Sequence, residues 1–354
     1  MIRNFLKRKD PFEFDANLKK KFLEILIKLT KIHQKKCKNY YKIIKKIKFK
    51  KTSTIEDLPF LPSSIFKEIE LYSMRRKKIF KTLKSSGTSG QNVSKIFLDK
   101  KNAKMQTLVL SKIFKSILGE KRLPILFFEK NLLSTNKKLF DAKMAAILGF
   151  SIFGYDHTYV VDENSQIDFK KLNSFLRKYS KKKFIIFGFT SNIYEYLINK
   201  LNKKYLDHSL KNAILIHGGG WKKMENIKVD NSKFKNLLFT KLKIKDVINY
   251  YGMVEQAGSV YLECQKCHFF KTSIFSDVLI RDERFASIKK NDKKNKKGLL
   301  QVLSILPTSY PGHSILTEDL GEFAKKKCSC GFSGTRFLVH GRSKLSEVRG
   351  CSDV

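Results

Sequence analysis

The sequence lacks any long uncharged apolar run. None of its windows approaches the ~18 apolar residues that a membrane-spanning helix requires. The first residues also lack the apolar stretch of a secretory signal peptide. These absences predict a cytoplasmic protein without a membrane span, in which disulfides are not expected.

Acidic residues and arginine are also scarce. Asp and Glu total 32 against 73 Lys and Arg, which gives a formal net charge of +41, yet only 11 of the basic residues are Arg. Proteins that read bases and phosphates favour the planar guanidinium of Arg, and the lysines here are spread over the whole chain. We therefore interpret the charge as a solvated lysine surface and expect no nucleic-acid partner.

The chain does contain a run of small and polar residues at positions 85–91, Ser-Ser-Gly-Thr-Ser-Gly-Gln. Such a loop can fold tightly and direct backbone N–H groups and hydroxyls at a phosphate. It is not a Walker loop, because no Gly-Lys-Ser/Thr follows at the required spacing, and ordinary linkers share its composition. The candidate phosphate-binding residues are Ser85, Ser86, Gly87, Thr88, Ser89 and Gly90.

Strand-like and helical patterns alternate from about residue 95, which predicts an α/β fold with a largely parallel sheet. After residue 276 the pattern becomes strand-rich. The apolar, strand-like runs before that point lie at 125–128, 184–187, 213–216 and 247–250. We expect four segments: a basic helical segment over 1–55, an α/β core over 56–275, a strand-rich part over 276–340, and a hinge with a short tail over 341–354.

Glycines follow three of these predicted strands, at the carboxyl ends where open α/β sheets bind ligands, and the first of them is Gly188 after the run 184–187. His217-Gly-Gly-Gly-Trp221 follows one run, and Tyr251-Gly-Met-Val-Glu255 follows the next. Glycine at a strand end lets the backbone approach a flat ligand such as a purine, although a turn alone also selects glycine.

Taken in order, these motifs resemble those of the adenylate-forming superfamily, which includes acyl- and aryl-CoA ligases. The loop at 85–91 is similar to its phosphate loop, and Tyr251–Glu255 to its Tyr-Gly-x-x-Glu motif. Thr317-Glu-Asp319 is similar to its ribose-binding Thr-Gly-Asp, with Glu318 in the place of glycine, and 341–344 to its Gly-Arg-x-Asp/Lys hinge. Within this superfamily the chain most resembles the acyl-protein synthetase (LuxE) family, through 58–67, 85–91, 217–222 and 251–256.

The resemblance implies a large N-terminal domain with α/β sheet layers and a strand-rich subdomain. The usual small C-terminal domain is expected to be absent or vestigial, because only 12 residues (354 minus 342) follow Arg342. The implied reaction is attack of a carboxylic acid, a fatty acid in this family, on the α-phosphate of ATP, which gives an acyl-adenylate and pyrophosphate. The implied cofactors are ATP and Mg²⁺, and the implied partner is an acyl-CoA-type reductase.

The same resemblance assigns roles to residues. Glu255 would hold magnesium and Thr88 would stabilise the leaving pyrophosphate, while Cys351 would accept the acyl group as a thioester. An incidental surface cysteine is the alternative for Cys351. The implied ATP-binding residues are Ser85, Ser86, Gly87, Thr88, Ser89, Gly90, Gly218, Gly219, Gly220, Tyr251, Gly252, Asp319 and Arg342.

Four of the six cysteines form two close pairs, Cys264-x-x-Cys267 and Cys328-x-Cys330. Two such pairs suit a tetrahedral zinc site, which is closed and therefore structural. His268 is an alternative ligand, and four unrelated thiols are the alternative interpretation. The sequence thus predicts a structural Zn²⁺.

Three functions follow from these patterns. The leading one is ATP-dependent acyl transfer to a protein thiol. The second is an acyl- or aryl-CoA ligase that resembles phenylacetate-CoA ligase. The third is a basic, zinc-stabilised nucleic-acid-binding protein, for which binding would fall steeply with salt and ATP would not be turned over.

Overall fold

The structure, a computed structural model, describes residues 2–47, 52–85, 93–131, 142–290, 292 and 296–343. Its described residues form two compact units. The first contains those up to 85, then 93–117 and those from 252 onward, and the second contains 118–251. The four segments expected from the sequence stay a prediction.

Helices are distributed over both units. Asp side chains begin three of the longer ones by accepting a hydrogen bond from an otherwise unpaired amide: Asp15 from Leu18, Asp168 from Lys171 and Asp230 from Lys233. The helices are α1 Arg3–Lys7, α2 Ala16–Lys36, α3 Lys38–Lys46, α4 Ile65–Glu68, α5 Lys100–Leu118, α6 Ala142–Ser151, α7 Phe169–Tyr179, α8 Thr190–Ile193 and α9 Asn231–Leu242. The shorter turns are 3-10 helices at Arg76–Lys78, Lys203–Tyr205, Lys222–Ile227 and Val254–Gln256, with a π-helix at Tyr194–Lys200.

Strands supply the frame of each unit. They are β1 Leu61–Pro62, β2 Lys81–Lys84, β3 Lys95–Leu98, β4 Leu123–Lys130, β5 Gly154–Val161, β6 Phe184–Phe189, β7 Ala213–Gly218, β8 Asp246–Gly252, β9 Val260–Glu263, β10 Phe270–Lys271, β11 Ser276–Arg281, β12 Gly298–Ser304, β13 Ser314–Phe323 and β14 Arg336–Arg342.

The second unit is built on a parallel sheet with the strand order β8-β7-β6-β4-β5. Every residue of β6 and β7 is buried. Strands of a parallel sheet are covered on both faces, which is why these two sequences are largely continuous apolar runs. Phe184, Ile186 and Leu215 pack with Leu172 of α7 and Leu238 of α9 in its core. The four apolar runs predicted as strands lie in β4, β6, β7 and β8, which confirms the α/β prediction.

The first unit carries an antiparallel sheet with the strand order β11-β12-β13-β14-β10-β9. Strand β1 adds to β13 in parallel, and β2 and β3 form a separate antiparallel pair. Helix α2 buries Phe22, Leu26 and Leu29, which are spaced along one helical face. This unit therefore contains the strand-rich pattern that the sequence predicted after residue 276.

Candidate active site

The base of the Ser/Gly-rich loop is fixed by two hydrogen bonds between Ser85 and Ser94. The Ser85 amide donates to the Ser94 carbonyl oxygen at 3.0 Å, and the Ser94 amide donates to Ser85 Oγ at 2.9 Å. These bonds extend the antiparallel pair β2–β3 by one step and place both ends of the loop side by side. Five of its candidate residues lie outside the described residues: Ser86, Gly87, Thr88, Ser89 and Gly90.

Glu255 lies in the short helix Val254–Gln256, just after β8. The Tyr310 hydroxyl donates to the Glu255 backbone carbonyl at 2.8 Å. The side-chain amide of Gln256 donates to the carbonyls of Val302 and Gly312 at 3.0 and 2.9 Å. The chain segment that carries the carboxylate is thus held against β12 and the turn that precedes β13.

The carboxylate of Glu255 is buried, and only 7% of the residue is exposed. Burial raises its pKa, and the Ser94 hydroxyl together with the charges of Lys67 and Arg342 offsets this in part. No residue in the described part of the chain forms an ion pair with it. Ser94 Oγ is itself buried without a hydrogen-bond partner of normal length among the described residues.

A buried carboxylate that forms no ion pair costs free energy unless a ligand supplies the missing charge. Mg²⁺ binds through one or two carboxylates together with substrate phosphate oxygens. The position of Glu255 next to the base of the loop therefore fits the magnesium that the resemblance implies.

Asp319 and Arg342 face each other across the antiparallel pair β13–β14, where their Cα atoms are register partners. The Asp319 amide donates to Thr317 Oγ1 at 3.1 Å, and that hydroxyl donates to the Leu300 carbonyl at 2.9 Å. Glu318, which stands in the place of the family's glycine, has a carboxylate oxygen 3.9 Å from the Arg342 guanidinium. The structure therefore brings together the ribose-binding and hinge positions that the resemblance implied.

Gly218, Gly219 and Gly220 lie at the carboxyl end of β7, in the second unit. A Cβ atom on Gly218 would lie 2.6 Å from the ring of Tyr250, and Gly219 has φ +81°, a conformation that favours glycine. A Cβ atom on Gly220 would meet nothing within 4 Å. Packing against Tyr250 thus explains why position 218 is glycine, and the backbone conformation explains Gly219. Neither reason applies to Gly220.

Comparison with known proteins identifies the family. The profile described as acyl-protein synthetase, LuxE, matches residues 2–354. The chain belongs to this family. Its members are AMP-forming acid–thiol ligases, and the family prediction made from the motifs is confirmed.

One curated relative of this LuxE family member is the long-chain-fatty-acid–luciferin-component ligase of Aliivibrio fischeri. The two are 24% identical over 320 residues, which cover 84% of this chain and 78% of the relative. The relationship is therefore distant.

Solved structures of 2-hydroxyisobutyryl-CoA ligase share the fold. Its open conformation with 2-HIB-AMP and CoA matches with a TM-score of 0.72 and 13% identity, over 95% of this chain and 77% of that one. Its postadenylation state with 2-HIB-AMP also gives 0.72 and 13%, over 95% and 70%. The fold is thus that of adenylate-forming ligases, as predicted.

No helix in the described ranges is long and apolar enough to cross a membrane.

His217, which begins the glycine-rich motif of this LuxE family member, is fully buried. Its Nδ1 lies 3.0 Å from the Thr190 hydroxyl oxygen, and that hydroxyl donates its proton to the Gly218 carbonyl at 3.1 Å. Burial, helped by the charge of Lys235, lowers the pKa of the imidazole to about 3. The ring is therefore neutral at physiological pH, and its contact with Thr190 helps to fix the backbone before the glycines.

Sequence reasoning missed a buried polar cluster at the carboxyl ends of β4 and β6. One carboxylate oxygen of Glu129 accepts the Phe189 amide at 2.9 Å. The other accepts the Asn192 side-chain amide at 2.8 Å and pairs with the Lys143 ammonium at 3.2 Å. An acidic residue that ends the apolar run 125–128 at a parallel strand's carboxyl end was the available signal.

The predicted zinc ligands come together from two separate hairpin loops. Sγ of Cys264 and Sγ of Cys328 are 3.8 Å apart, and the sulfurs of Cys264, Cys328 and Cys330 all lie within 4.8 Å of one another. The Cys267 thiol interacts with those of Cys264 and Cys328. His268 instead places Nδ1 3.1 Å from the carboxylate of Glu263.

The environment of Cys264 favours its thiolate. Burial alone raises the pKa of this thiol, but the amides of Cys267 and Lys266 and the neighbouring thiols together lower it to about 7. All the cysteines in the described part of the chain are free of disulfides. Cys351, the predicted acyl acceptor, lies outside the described residues.

Proposed function

We propose that this chain activates a fatty acid with ATP and transfers the acyl group to the thiol of Cys351. In the first step the carboxylate of the acid attacks the α-phosphate of ATP, a new P–O bond forms, and the bond to pyrophosphate breaks. In the second step the Cys351 thiol releases its proton to solvent and its sulfur attacks the acyl carbonyl carbon. The C–O bond to the phosphate then breaks, and AMP leaves as the thioester forms.

The observation that carries this proposal is the buried Glu255 carboxylate beside the base of the Ser/Gly-rich loop. In the proposal Glu255 holds Mg²⁺, which when bound would neutralise charge on the triphosphate. The loop residues, with Thr88 among them, donate hydrogen bonds to the β- and γ-phosphates. Such donors accelerate the step because they stabilise negative charge that grows on the leaving pyrophosphate.

The remaining candidates bind the nucleoside. Asp319 accepts hydrogen bonds from the ribose hydroxyls, with Arg342 opposite it on the neighbouring strand. Gly218–Gly220 and Tyr251 flank the adenine in this proposal, with Gly252 as the small residue that follows the tyrosine. Support for these roles comes from the matched motifs and from the register of β13 and β14.

The substrate class is proposed from the relative that acts on a long-chain fatty acid. By the same family resemblance, the acyl group would pass to an acyl-CoA-type reductase. Zinc has no step in this chemistry.

The direct test is ATP–pyrophosphate exchange measured with acids of graded chain length. We expect exchange to require an added acid and Mg²⁺, and to be fastest for one range of chain lengths. Exchange that never depends on an acid would contradict the proposal. Acid-dependent exchange with acylation of free CoA, and no acyl-protein, would favour the CoA-ligase alternative. Salt-sensitive nucleic-acid binding without exchange would favour the third function.

Substitution of Gly220 by alanine tests the proposed adenine contact. A Cβ at this position meets no described atom, so we expect the melting temperature to stay unchanged while the KM for ATP rises several-fold. The matched variant is Gly218→Ala, which should lower the melting temperature because its Cβ collides with Tyr250. An unchanged KM in Gly220→Ala would remove this glycine from the nucleotide site.

A further inference from the structure

Two hairpin loops of the first unit carry the four clustered cysteines. The loop between β9 and β10 holds Cys264 and Cys267, and the loop between β13 and β14 holds Cys328 and Cys330. The first loop turns tightly, because the Cys264 amide donates to the Phe269 carbonyl at 2.8 Å and the His268 amide donates back to the Cys264 carbonyl at 2.9 Å. In the second loop the Cys330 amide donates to the Cys328 sulfur at 3.4 Å. Each loop thus presents its two sulfurs from a compact turn.

The spacing of the sulfurs suits metal coordination and not a disulfide. Zn–S bonds of ~2.3 Å place two thiolates of a tetrahedron about 3.8 Å apart, and Cys264 and Cys328 are separated by 3.8 Å. A disulfide requires about 2.05 Å. The third sulfur, of Cys330, lies within 4.8 Å of both, and the Cys267 thiol interacts with two of them.

The surroundings compensate the charge that four thiolates around one divalent ion would carry. The Arg336 guanidinium lies 3.5 Å from the Cys267 sulfur, and its other nitrogen donates to the Lys326 carbonyl. Arg336 therefore bridges the two loops from the first residue of β14. Lys266 and Lys325–Lys327 stand next to the cysteines in sequence. Positive groups of this kind stabilise an anionic metal–thiolate centre.

We propose that Cys264, Cys267, Cys328 and Cys330 bind one Zn²⁺ in a closed, structural site that joins the β9–β10 and β13–β14 hairpins. With four thiolates no coordination position is open for a substrate. The joined strands lead to residues of the proposed nucleotide site: Glu255 precedes β9, while Asp319 and Arg342 are paired on β13 and β14. The metal holds these strands together at the ends that lie away from the proposed nucleotide site. The zinc site itself does not depend on the proposed acyl transfer.

Metal analysis and native alkylation test this site. Protein purified without chelators should contain about one zinc per chain, because a preformed thiolate site of this kind retains its metal tightly. Cys330 is exposed, so a free thiol there would react readily with iodoacetamide. We expect peptide mapping to show Cys330 protected in the native protein and alkylated once a chelator such as 1,10-phenanthroline has removed the zinc.

The variants are Cys264→Ser and Cys328→Ser, with Cys37→Ser as the control. Cys37 is buried in the same unit but outside the cluster. The two cluster variants should lose nearly all zinc and melt at least several degrees lower, whereas the control should keep its zinc. Absence of metal with Cys330 freely alkylated in the native protein would overturn the site. An unchanged melting temperature in the zinc-free variants would overturn its structural role.

Discussion

Replacement of Cys351 by serine is expected to leave ATP–pyrophosphate exchange intact and to abolish the stable acyl-protein. Exchange needs only formation of the adenylate, for which the loop, Glu255 and Asp319 are the proposed residues. A serine hydroxyl has too high a pKa to attack the adenylate at a comparable rate without a base. Intact-protein mass spectrometry after incubation with ATP, Mg²⁺ and the preferred acid would measure the adduct, and release by neutral hydroxylamine would identify it as a thioester.

Cys37→Ser is the matched control for this experiment. Burial raises the pKa of the Cys37 thiol, so it is a poor nucleophile and its replacement should leave the adduct unchanged. An adduct that persists in Cys351→Ser and maps to another cysteine would assign a different acceptor. If no cysteine is labelled while free CoA is acylated, the protein is a CoA ligase.

The second large effect is expected for Glu255→Gln. Glutamine is nearly isosteric but carries no charge, so the proposed magnesium ligand is lost while the anchors at Tyr310 and Gln256 remain. Loss of one group that stabilises developing charge typically costs on the order of a hundredfold or more in rate. We expect exchange to fall by at least this factor. Retention of most of the activity would exclude Glu255 from the reaction.

The same variant should increase the stability of the ligand-free protein at neutral pH. Burial raises the pKa of Glu255 in the folded state above its value in the unfolded chain. The folded state therefore binds the proton of Glu255 more tightly than the unfolded chain does. The contribution of the neutral carboxyl to the free energy of unfolding is lost as pH rises through the pKa that Glu255 has in the folded state. Above that pKa Glu255→Gln should melt higher than the wild type, and near pH 4 the difference should vanish.

Glu322→Gln provides the control for both measurements. Glu322 lies on β13 with its carboxylate 3.5 Å from Nε2 of His340, and it belongs to none of the matched motifs. This variant should keep normal exchange and lack the stability gain at neutral pH. A gain of equal size in both variants would mean that the effect comes from the general reduction of charge.

Much of the fold follows from local pattern. Strands β6 and β7 are entirely buried, so each contains a continuous apolar run, and its short length and the glycine near its end indicate a buried strand. Helix α2 shows the spacing of a one-sided amphipathic helix. The Ser/Gly-rich loop and the Tyr-Gly-x-x-Glu segment were also recognisable from the sequence. Turn geometry and ligand binding restrict which residues can occupy those positions.

Other features of the candidate site needed the folded chain. Ser94, distant in sequence from Glu255, had no motif to mark it, and its position beside the buried carboxylate became visible only in the folded chain. The cluster of Glu129, Lys143 and Asn192 likewise joins three separate elements. Such contacts depend on which strands pair and on how helices cover them, and periodicity reports neither.

The sequence by itself determined the chemical groups of this protein: a hydroxyl-rich loop, a carboxylate in a family motif, two pairs of thiols and a lysine-rich surface. Only the tertiary structure decided which of them meet. The register of β13 and β14 sets Asp319 opposite Arg342, and two hairpins bring the sulfurs of Cys264, Cys328 and Cys330 within 4.8 Å of one another. The physical reason is that residue type is local, whereas burial and proximity are set by long-range strand pairing, which also determines how far the pKa of Glu255 is raised.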